Sequence, residues 1–284
     1  GGSLFEANKL TGLFVSSGAT LQVKESNGNV RPWGDARAKQ IWKKPMAVMV
    51  DRYSASASEI FAGAIQDYQR GIIIGQKTFG KGTVQKLDNL SSGQIKITES
   101  KFYRITGAGM QTKGIQPDII LPSTWDIEEI GESSYDTALP WDEIKPVRFK
   151  KFSMESSLIS QLNDEHLTRV RQNPNLQYIL DIRKRYEIQK NKEVISLNLI
   201  NRRIEKEERQ SWALEIENKR RASLNLETFS SFKAMEDFND AKAAEDNERD
   251  YEIDVDNDYL LNEGMQIISD YTIFNQKIYL SKAA

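Results

Sequence analysis

The sequence contains no cysteine, a single histidine and no long apolar run. Without cysteine the chain cannot form disulfides, thiolate metal sites or a cysteine nucleophile. Its one histidine, His166, cannot build a multi-histidine metal site, and it would have to be the base of any Ser–His–Asp triad. Because His166 lies in a polar, helix-like segment, we expect an exposed or interfacial side chain instead. No apolar run approaches the roughly 18 residues of a transmembrane helix.

The composition of the chain bears on its partners and on the number of hydrophobic cores that it can form. The formal net charge of −2 indicates neither a nucleic-acid partner nor an anionic membrane surface. With 284 residues, 39% of them hydrophobic, the chain can bury one large core and a second, smaller one. It opens on Gly1–Gly2, without a methionine or a basic and apolar leader, which we interpret as the interior of a longer protein.

Hydrophobic spacing predicts an α/β region over the first 125 residues. Apolar runs at 46–51 and 72–75 are typical of buried strands, and residues 60–68 between them have a helical period. A strand, a helix and a strand in this order predict a parallel crossover. Its first strand leads to the serines of "SASASE" (54–59), at the edge where α/β proteins bind ligands. The other expected elements are a helix over 4–14, a hairpin over 20–33 with a two-residue turn at Asn27–Gly28, and strands at 83–87, 93–106 and 114–122.

Beyond residue 125 the chain becomes polar and then rich in charged, helical stretches. Residues 126–150 contain Pro140 and Pro146 and are expected to form a linker, and 151–284 a mainly α-helical domain. Basic and acidic residues interleave there as on solvated helix faces, and an acidic segment at 244–258 is expected to be exposed. The predicted helices cover 156–171, 174–190, 200–221 and a last one through Leu260, Leu261, Met265 and Ile268.

The segment "SASASE" allows two interpretations. Ser56 and Glu59 have the S-x-x-E spacing of a capping box, in which the serine caps free N–H groups at the start of a helix. The same position suits a nucleophile, because those N–H groups and the positive helix end can hold an oxyanion where the hydroxyl attacks. Capping boxes are common, so the spacing alone favours the cap.

The segment "GQKTFGKGTVQ" (75–85) allows three interpretations. It nearly spells a phosphate-binding P-loop, but Gly82 stands where that motif needs serine or threonine, and the next residues alternate like a strand. Lys81 could instead be a base, because burial would lower the pKa of its amine, which could then take a proton from a serine hydroxyl. A surface lysine in a flexible glycine turn fits the spacing as well.

Three stretches, "SASASE", "AGAIQD" and "TFGKGTVQ", in this order and spacing, resemble the active-site segment of the tail-specific (C-terminal processing) proteases, the Prc/Tsp branch of the S41 serine peptidases. "GIQPDIILPS" and "ALPWDEI" resemble the region after the protease core, and the charged helices resemble the C-terminal helical domain of this branch. The resemblance implies that residues 1–125 are the C-terminal part of a ClpP/crotonase-like α/β protease core. It also implies that N-terminal and PDZ regions precede the chain.

The resemblance further implies a Ser–Lys dyad that needs neither a metal ion nor an organic cofactor. Transferred position by position, the family's roles make Ser56 the nucleophile and Lys81 the general base. Gln85 would orient the lysine, and the backbone N–H groups of Gly2 and Ala57 would form the oxyanion hole. Supporting roles fall on Glu59, Asp67 and Thr78.

The function implied is that of a bacterial, periplasmic serine endopeptidase, associated in some cases with the inner membrane. It would cleave proteins with apolar, unstructured C-terminal tails through an acyl-enzyme, with a lipoprotein adaptor as a partner and a signal peptide upstream of residue 1. We expect this chain alone to be nearly inactive, since the PDZ region that captures substrates is not in it. The alternative is a non-catalytic interaction or scaffold module of the cell envelope. The joint presence of Ser56, Lys81 and Gln85 argues against that alternative.

Overall fold

A computed structural model describes residues 1–35, 38–248, 255 and 257–283. The chain forms two compact units, and neither is continuous in sequence. The first consists of Gly1–Leu121, Trp125–Asp164 and the residues from Gly264 onward, and the second of Pro122–Thr124 and Glu165–Glu263. The domain boundaries at 125 and 150 stay a prediction. No helix in the described ranges is long and apolar enough to cross a membrane.

The first 121 residues fold as the predicted mixture of helices and strands. In chain order the elements are α1 (Leu4–Gly12), β1 (Leu21–Glu25), β2 (Val30–Trp33), β3 (Ala47–Val50), α2 (Ala57–Asp67), β4 (Ile72–Gly75), β5 (Thr83–Asn89), β6 (Gln94–Tyr103) and β7 (Ile119–Ile120).

A small parallel sheet of order β3-β4-β7 positions the serine-rich segment. β3 and β4 pair in parallel from Ala47↔Ile72 to Val50↔Gly75, with α2 as the crossover helix, as predicted. β4 is buried throughout, and the apolar stripe of α2 packs in the same core. β3 is less buried than its apolar sequence predicts, because Met49 is 41% exposed.

A second, antiparallel sheet has the order β2-β1-β6-β5. Its β1–β2 hairpin confirms the prediction for residues 20–33, but the turn is longer than the predicted two residues. The Gly28 N–H donates to the Glu25 carbonyl (2.9 Å), and the Glu25 N–H donates to the Asn29 carbonyl (2.9 Å). Gly28 has φ +87°, a conformation that glycine adopts without strain.

The remainder of the chain is helical. The three predicted helices after residue 150 are present with ends shifted by a few residues, and the last predicted helix is present and longer. A further helix was not predicted, because its many acidic residues have no clear apolar period. The predicted exposed segment 244–258 lies largely outside the described residues. The helices are α3 (Leu158–Gln172), α4 (Pro174–Lys190), α5 (Leu199–Ser223), α6 (Phe232–Glu248) and α7 (Tyr259–Ala283).

His166 is buried rather than exposed, which corrects the prediction from its polar surroundings. Its side chain is 1% exposed, and Nδ1 lies 2.8 Å from Glu263 Oε1. Arg169 donates from Nε to the same carboxylate at 2.9 Å. A polar side chain can be buried when a charged partner satisfies it, and Glu263 is about 100 residues away in sequence, so the local pattern could not reveal it.

The part of α7 that begins at Gly264 belongs to the first unit and packs against β3. A Cβ built on Gly264 would lie 2.9 Å from the sulfur of Met49 and 3.3 Å from Cδ1 of Ile74. Ile267 and Tyr271, farther along the helix, are buried. This part of α7 therefore packs against the parallel sheet at Met49 and Ile74.

Candidate active site

Ser56 lies where the chain leaves the parallel sheet and enters α2. It is the N-cap residue of the helix, with φ 55° and ψ −113°. Positive φ is uncommon outside glycine, and strained residues of this kind cluster at functional sites. The Ser56 side chain is half-buried, and Ala57 behind it is the first residue of the helix. The turn therefore places a hydroxyl at the start of a helix, next to the backbone of Ala57.

Ser54 has a different role in the same turn. Its hydroxyl donates to Asp51 Oδ1 (3.0 Å) and accepts from the Asp51 N–H (3.1 Å). Its carbonyl accepts from the Phe79 N–H at 2.9 Å. These bonds hold Ser54 in the loop that supports Ser56.

The carboxylate of Glu59 joins the serine turn to the lysine loop. Oε2 accepts from the N–H groups of Ser56 (2.7 Å) and Lys81 (2.9 Å). Oε1 accepts from the Gly80 N–H (2.7 Å) and the Thr78 hydroxyl (2.5 Å). Burial raises the pKa of Glu59, and the four hydrogen bonds oppose that rise because they stabilise the charged form. The capping interpretation is thus correct for Glu59, and the same carboxylate also organises a second loop.

Glu59→Gln is expected to lower the free energy of unfolding by about 2–4 kcal/mol. An amide has one oxygen for four donors, and its NH₂ group would face backbone N–H groups that have no other acceptor. Urea unfolding of this chain at neutral pH measures the loss. Glu215→Gln, at an exposed position on α5, is the matched control and should change stability by less than about 0.5 kcal/mol. A loss below about 1 kcal/mol for Glu59→Gln would contradict the conclusion that Glu59 holds the serine turn and the lysine loop together.

Lys81 lies between two glycines that allow other backbone to approach closely. A Cβ on Gly80, which has φ +91°, would lie 2.9 Å from the carbonyl carbon of Thr112. A Cβ on Gly82 would lie 2.5 Å from the Gln111 nitrogen. The chain then enters β5 and not a helix, so the phosphate cradle of a P-loop is absent here. The flexible-turn interpretation does not fit a loop packed this tightly.

The Lys81 side chain is half-buried. Within the described part of the chain it forms no ion pair, and no hydrogen bond links its amine to Ser56 or Gln85. Gln85 is exposed on β5, next to a bulge at Val84/Gln85. The dyad and the orienting role of Gln85 stay predictions.

Gly1 and Ala57 lie beside Ser56, and the role of the Gly2 and Ala57 N–H groups as oxyanion donors stays a prediction. A Cβ built on Gly1 would stand 3.4 Å from the Cβ of Ser56, and no described atom lies within 4 Å of a Cβ on Gly2. A cavity of about 810 Å³ opens here, with Gly2 and Ala57 on its wall. Its apolar lining comes from α1, β3 and α2 and includes Leu10, Leu13, Val48, Met49 and Phe61.

Thr78 and Asp67 were both predicted to support the site, but they lie at different distances from it. The Thr78 hydroxyl donates to Glu59 and accepts from the Ile115 N–H (2.7 Å), so it fixes the loop directly. Asp67 lies at the far end of α2, about 16 Å along the helix from Ser56. It pairs with Arg104, and burial raises its pKa while Arg104 lowers it. The structure therefore brings Thr78 to the site and leaves Asp67 remote.

Three residues near the site were missed in the sequence. Arg52 is fully buried and donates to the carbonyls of Thr78, Ile130 and Ile127. Gln111 is buried behind Gly82. Lys77 is half-buried, and burial together with the nearby charges of Arg52 and Lys113 lowers its pKa. The one signal in the sequence was an arginine two residues after the apolar strand β3.

A strained serine at a strand-to-helix turn is thus tied by a buried carboxylate to the loop of a glycine-flanked lysine. Residues 1–121 match the family described as "Peptidase family S41", and residues 125–272 match the "C-terminal domain of tail specific protease". The chain therefore belongs to the tail-specific protease branch of the S41 peptidase family. This confirms the resemblance and its α/β core followed by helices.

Two curated relatives agree with this assignment. The tail-specific protease of Haemophilus influenzae is 36% identical over 295 residues, which cover 100% of this chain and 40% of the relative. The carboxy-terminal-processing protease of Bartonella bacilliformis is 35% identical over 147 residues, 51% of this chain and 33% of the relative. A solved photosystem II D1 C-terminal processing protease matches with a TM-score of 0.39 and 32% identity, over 43% of this chain and 32% of that one. The chain thus spans less than half the length of these relatives.

Proposed function

We propose that the full-length protein is a serine endopeptidase that uses Ser56 as nucleophile and Lys81 as general base. The observation that carries the proposal is the Glu59 carboxylate, whose Oε2 atom accepts from the backbone N–H groups of both residues. One buried group thereby fixes the two chain segments relative to each other. Fixed geometry of this kind is what a proton transfer between side chains requires.

The chemistry follows from these groups. The Lys81 amine takes the proton from the Ser56 hydroxyl as the serine oxygen attacks the substrate carbonyl. The N–H groups of Ala57 and Gly2 stabilise the oxyanion. The lysine then gives its proton to the leaving amine, and an acyl-enzyme remains that water hydrolyses in a second, equivalent step. No metal ion or organic cofactor takes part.

The proposed substrates are proteins with apolar, unstructured C-terminal tails. The cavity beside Gly2 and Ala57 supports this preference, because its walls include Leu10, Leu13 and Phe61. Apolar walls favour apolar side chains of an extended polypeptide. The bacterial relatives and the family suggest a periplasmic location, in some cases at the inner membrane, with a lipoprotein adaptor as a partner.

The rival function is a non-catalytic interaction module of the cell envelope. A serine-directed fluorophosphonate probe, applied to the full-length protein, separates the two. A peptidase is labelled at Ser56 and cleaves an unfolded protein with an apolar tail. A folded protein that shows neither property would be the scaffold, and the proposed function would then be wrong.

Residues 1–284 alone are expected to cleave such a substrate at least about 10²-fold more slowly than the full-length protein. The match covers 40% of the Haemophilus influenzae relative, and we propose that groups that capture substrate and support Gly2 lie in the remainder. Loss of one oxyanion donor by itself lowers rates by about 10²–10³. Cleavage rates of the two forms on one substrate, at equal concentration of folded protein, test this. Equal rates would show that the chain is sufficient.

A further inference from the structure

Three consecutive backbone N–H groups around Lys81 are held by side chains. The N–H groups of Gly80 and Lys81 donate to Glu59, and that of Gly82 donates to Oε1 of Gln111 at 2.9 Å. Glu59 thus holds the first two amides and Gln111 the third. The loop is fixed on both sides of the lysine.

Gln111 is itself anchored. It is 1% exposed, and its Nε2 donates to Glu132 Oε1 at 2.9 Å. Glu132 is tied to the same loop, because its backbone N–H donates to the Phe79 carbonyl at 2.9 Å. Both the oxygen and the nitrogen of the Gln111 side-chain amide are therefore hydrogen-bonded, which fixes the orientation of the amide as well as its position.

The backbone beside Gln111 is pressed against the lysine loop. Thr112 has φ +62°, a conformation that a β-branched residue rarely adopts. Its N–H donates to the Gly80 carbonyl at 2.8 Å. A strained residue persists only where its surroundings over-determine it, so this contact is a fixed part of the loop.

We propose that Gln111 is a positioning residue for Lys81, acting through the Gly82 N–H and oriented by Glu132. This rests on the proposed function of Lys81 as the base. Without the Gln111 oxygen, the Gly82 N–H loses its acceptor, although the Gly82 carbonyl still accepts from the Phe102 N–H at 2.9 Å. The backbone that carries Lys81 is then held less tightly, and its amine is placed less accurately for Ser56. The role differs from that of a buried polar residue that only stabilises the fold.

Gln111→Leu in the full-length protein is expected to slow fluorophosphonate labelling of Ser56 by about 10²-fold, the effect of a displacement of about 1 Å. Gln111→Glu keeps the acceptor but sets two carboxylates against each other, and it should also label slowly at neutral pH. The double variant Gln111→Glu/Glu132→Gln restores a carboxylate that accepts from Gly82 and an amide that donates to it. Its labelling should return to within about tenfold of the parent.

The matched control is Gln22→Leu. Gln22 is also buried, and its Nε2 donates to the carbonyls of Arg104 (3.2 Å) and Lys145 (3.1 Å), away from the lysine loop. The Gln22→Leu variant should lower the melting temperature as Gln111→Leu does, and it should leave the labelling rate of the folded protein unchanged. Equal labelling of folded Gln111→Leu and Gln22→Leu would overturn the proposal, and so would failure of the double variant to exceed Gln111→Glu.

Hydrogen exchange gives a readout that does not depend on activity. In this chain, Gln111→Leu should speed exchange of the Gly82 amide at least about tenfold, while Gln22→Leu leaves that amide unchanged. Unchanged exchange overturns the role of Gln111 whether or not the parent is labelled. A parent protein without a label at Ser56 overturns the proposed function instead, so the two failures are distinguishable.

Discussion

Ser56→Ala in the full-length protein is expected to abolish acylation, with a loss on the order of 10⁶-fold in the rate of peptide cleavage. The reason is that the variant lacks the oxygen that we propose attacks the substrate carbonyl. The variant should stay folded, since the Ser56 contact to Glu59 is made by its backbone N–H. Mass spectrometry of a trapped phosphonyl- or acyl-enzyme of the parent should find the adduct on Ser56.

The neighbouring serines provide the matched controls. Ser54→Ala loses the hydroxyl bonds to Asp51, and Ser58→Ala changes a side chain in the first turn of α2. Both should keep measurable cleavage, because neither removes the attacking oxygen. An adduct on Ser54 or Ser58 would show that the nucleophile is misassigned.

Lys81→Arg is expected to be as inactive as Lys81→Ala, with cleavage reduced by about 10⁴-fold or more. Arginine keeps the positive charge but cannot give up its proton, so it cannot act as the base. Both variants should fold, because the Lys81 contact to Glu59 uses the backbone N–H. Cleavage rates and circular dichroism of the purified variants measure the two expectations.

Lys77→Arg is the decisive control for the lysine. Lys77 lies four residues before Lys81, and its surroundings lower its pKa. We expect this variant to retain cleavage. If Lys77→Arg is inactive while Lys81→Arg cleaves substrate, Lys77 is the general base and the assignment of Lys81 is wrong.

Much of the fold was predictable because it depends on local patterns. The helical period of residues 60–68 between two apolar runs was sufficient for the β3–α2–β4 crossover. Asn27–Gly28 located the first hairpin, although not the length of its turn. α6 was missed, since its acidic sequence lacks an apolar stripe, and His166 was misjudged because its partner Glu263 is distant in sequence.

The main residues of the site were predictable from the sequence, but most of the hydrogen bonds that join them were not. The spacing of Ser56 and Glu59 predicted a capping box with Ser56 as the cap, and the structure shows the Ser56 N–H donating to Glu59. The other donors to Glu59, and the placement of Gln111 behind Gly82, arise only when β5 and the segment around residue 111 pack together. Tertiary contacts of this kind leave no periodic signal in a single sequence.

The location of α7 has a consequence for synthesis. The residues from Gly264 onward share a compact unit with Gly1–Leu121, although roughly 140 residues separate them. At about 5–20 residues per second, a ribosome needs on the order of 7–30 s to cross that interval. During this time the nascent strand β3 lacks the helix that packs against Met49 at Gly264. The unit that contains Ser56 and Lys81 therefore cannot complete the packing of β3 until Gly264 and the residues that follow it have been made.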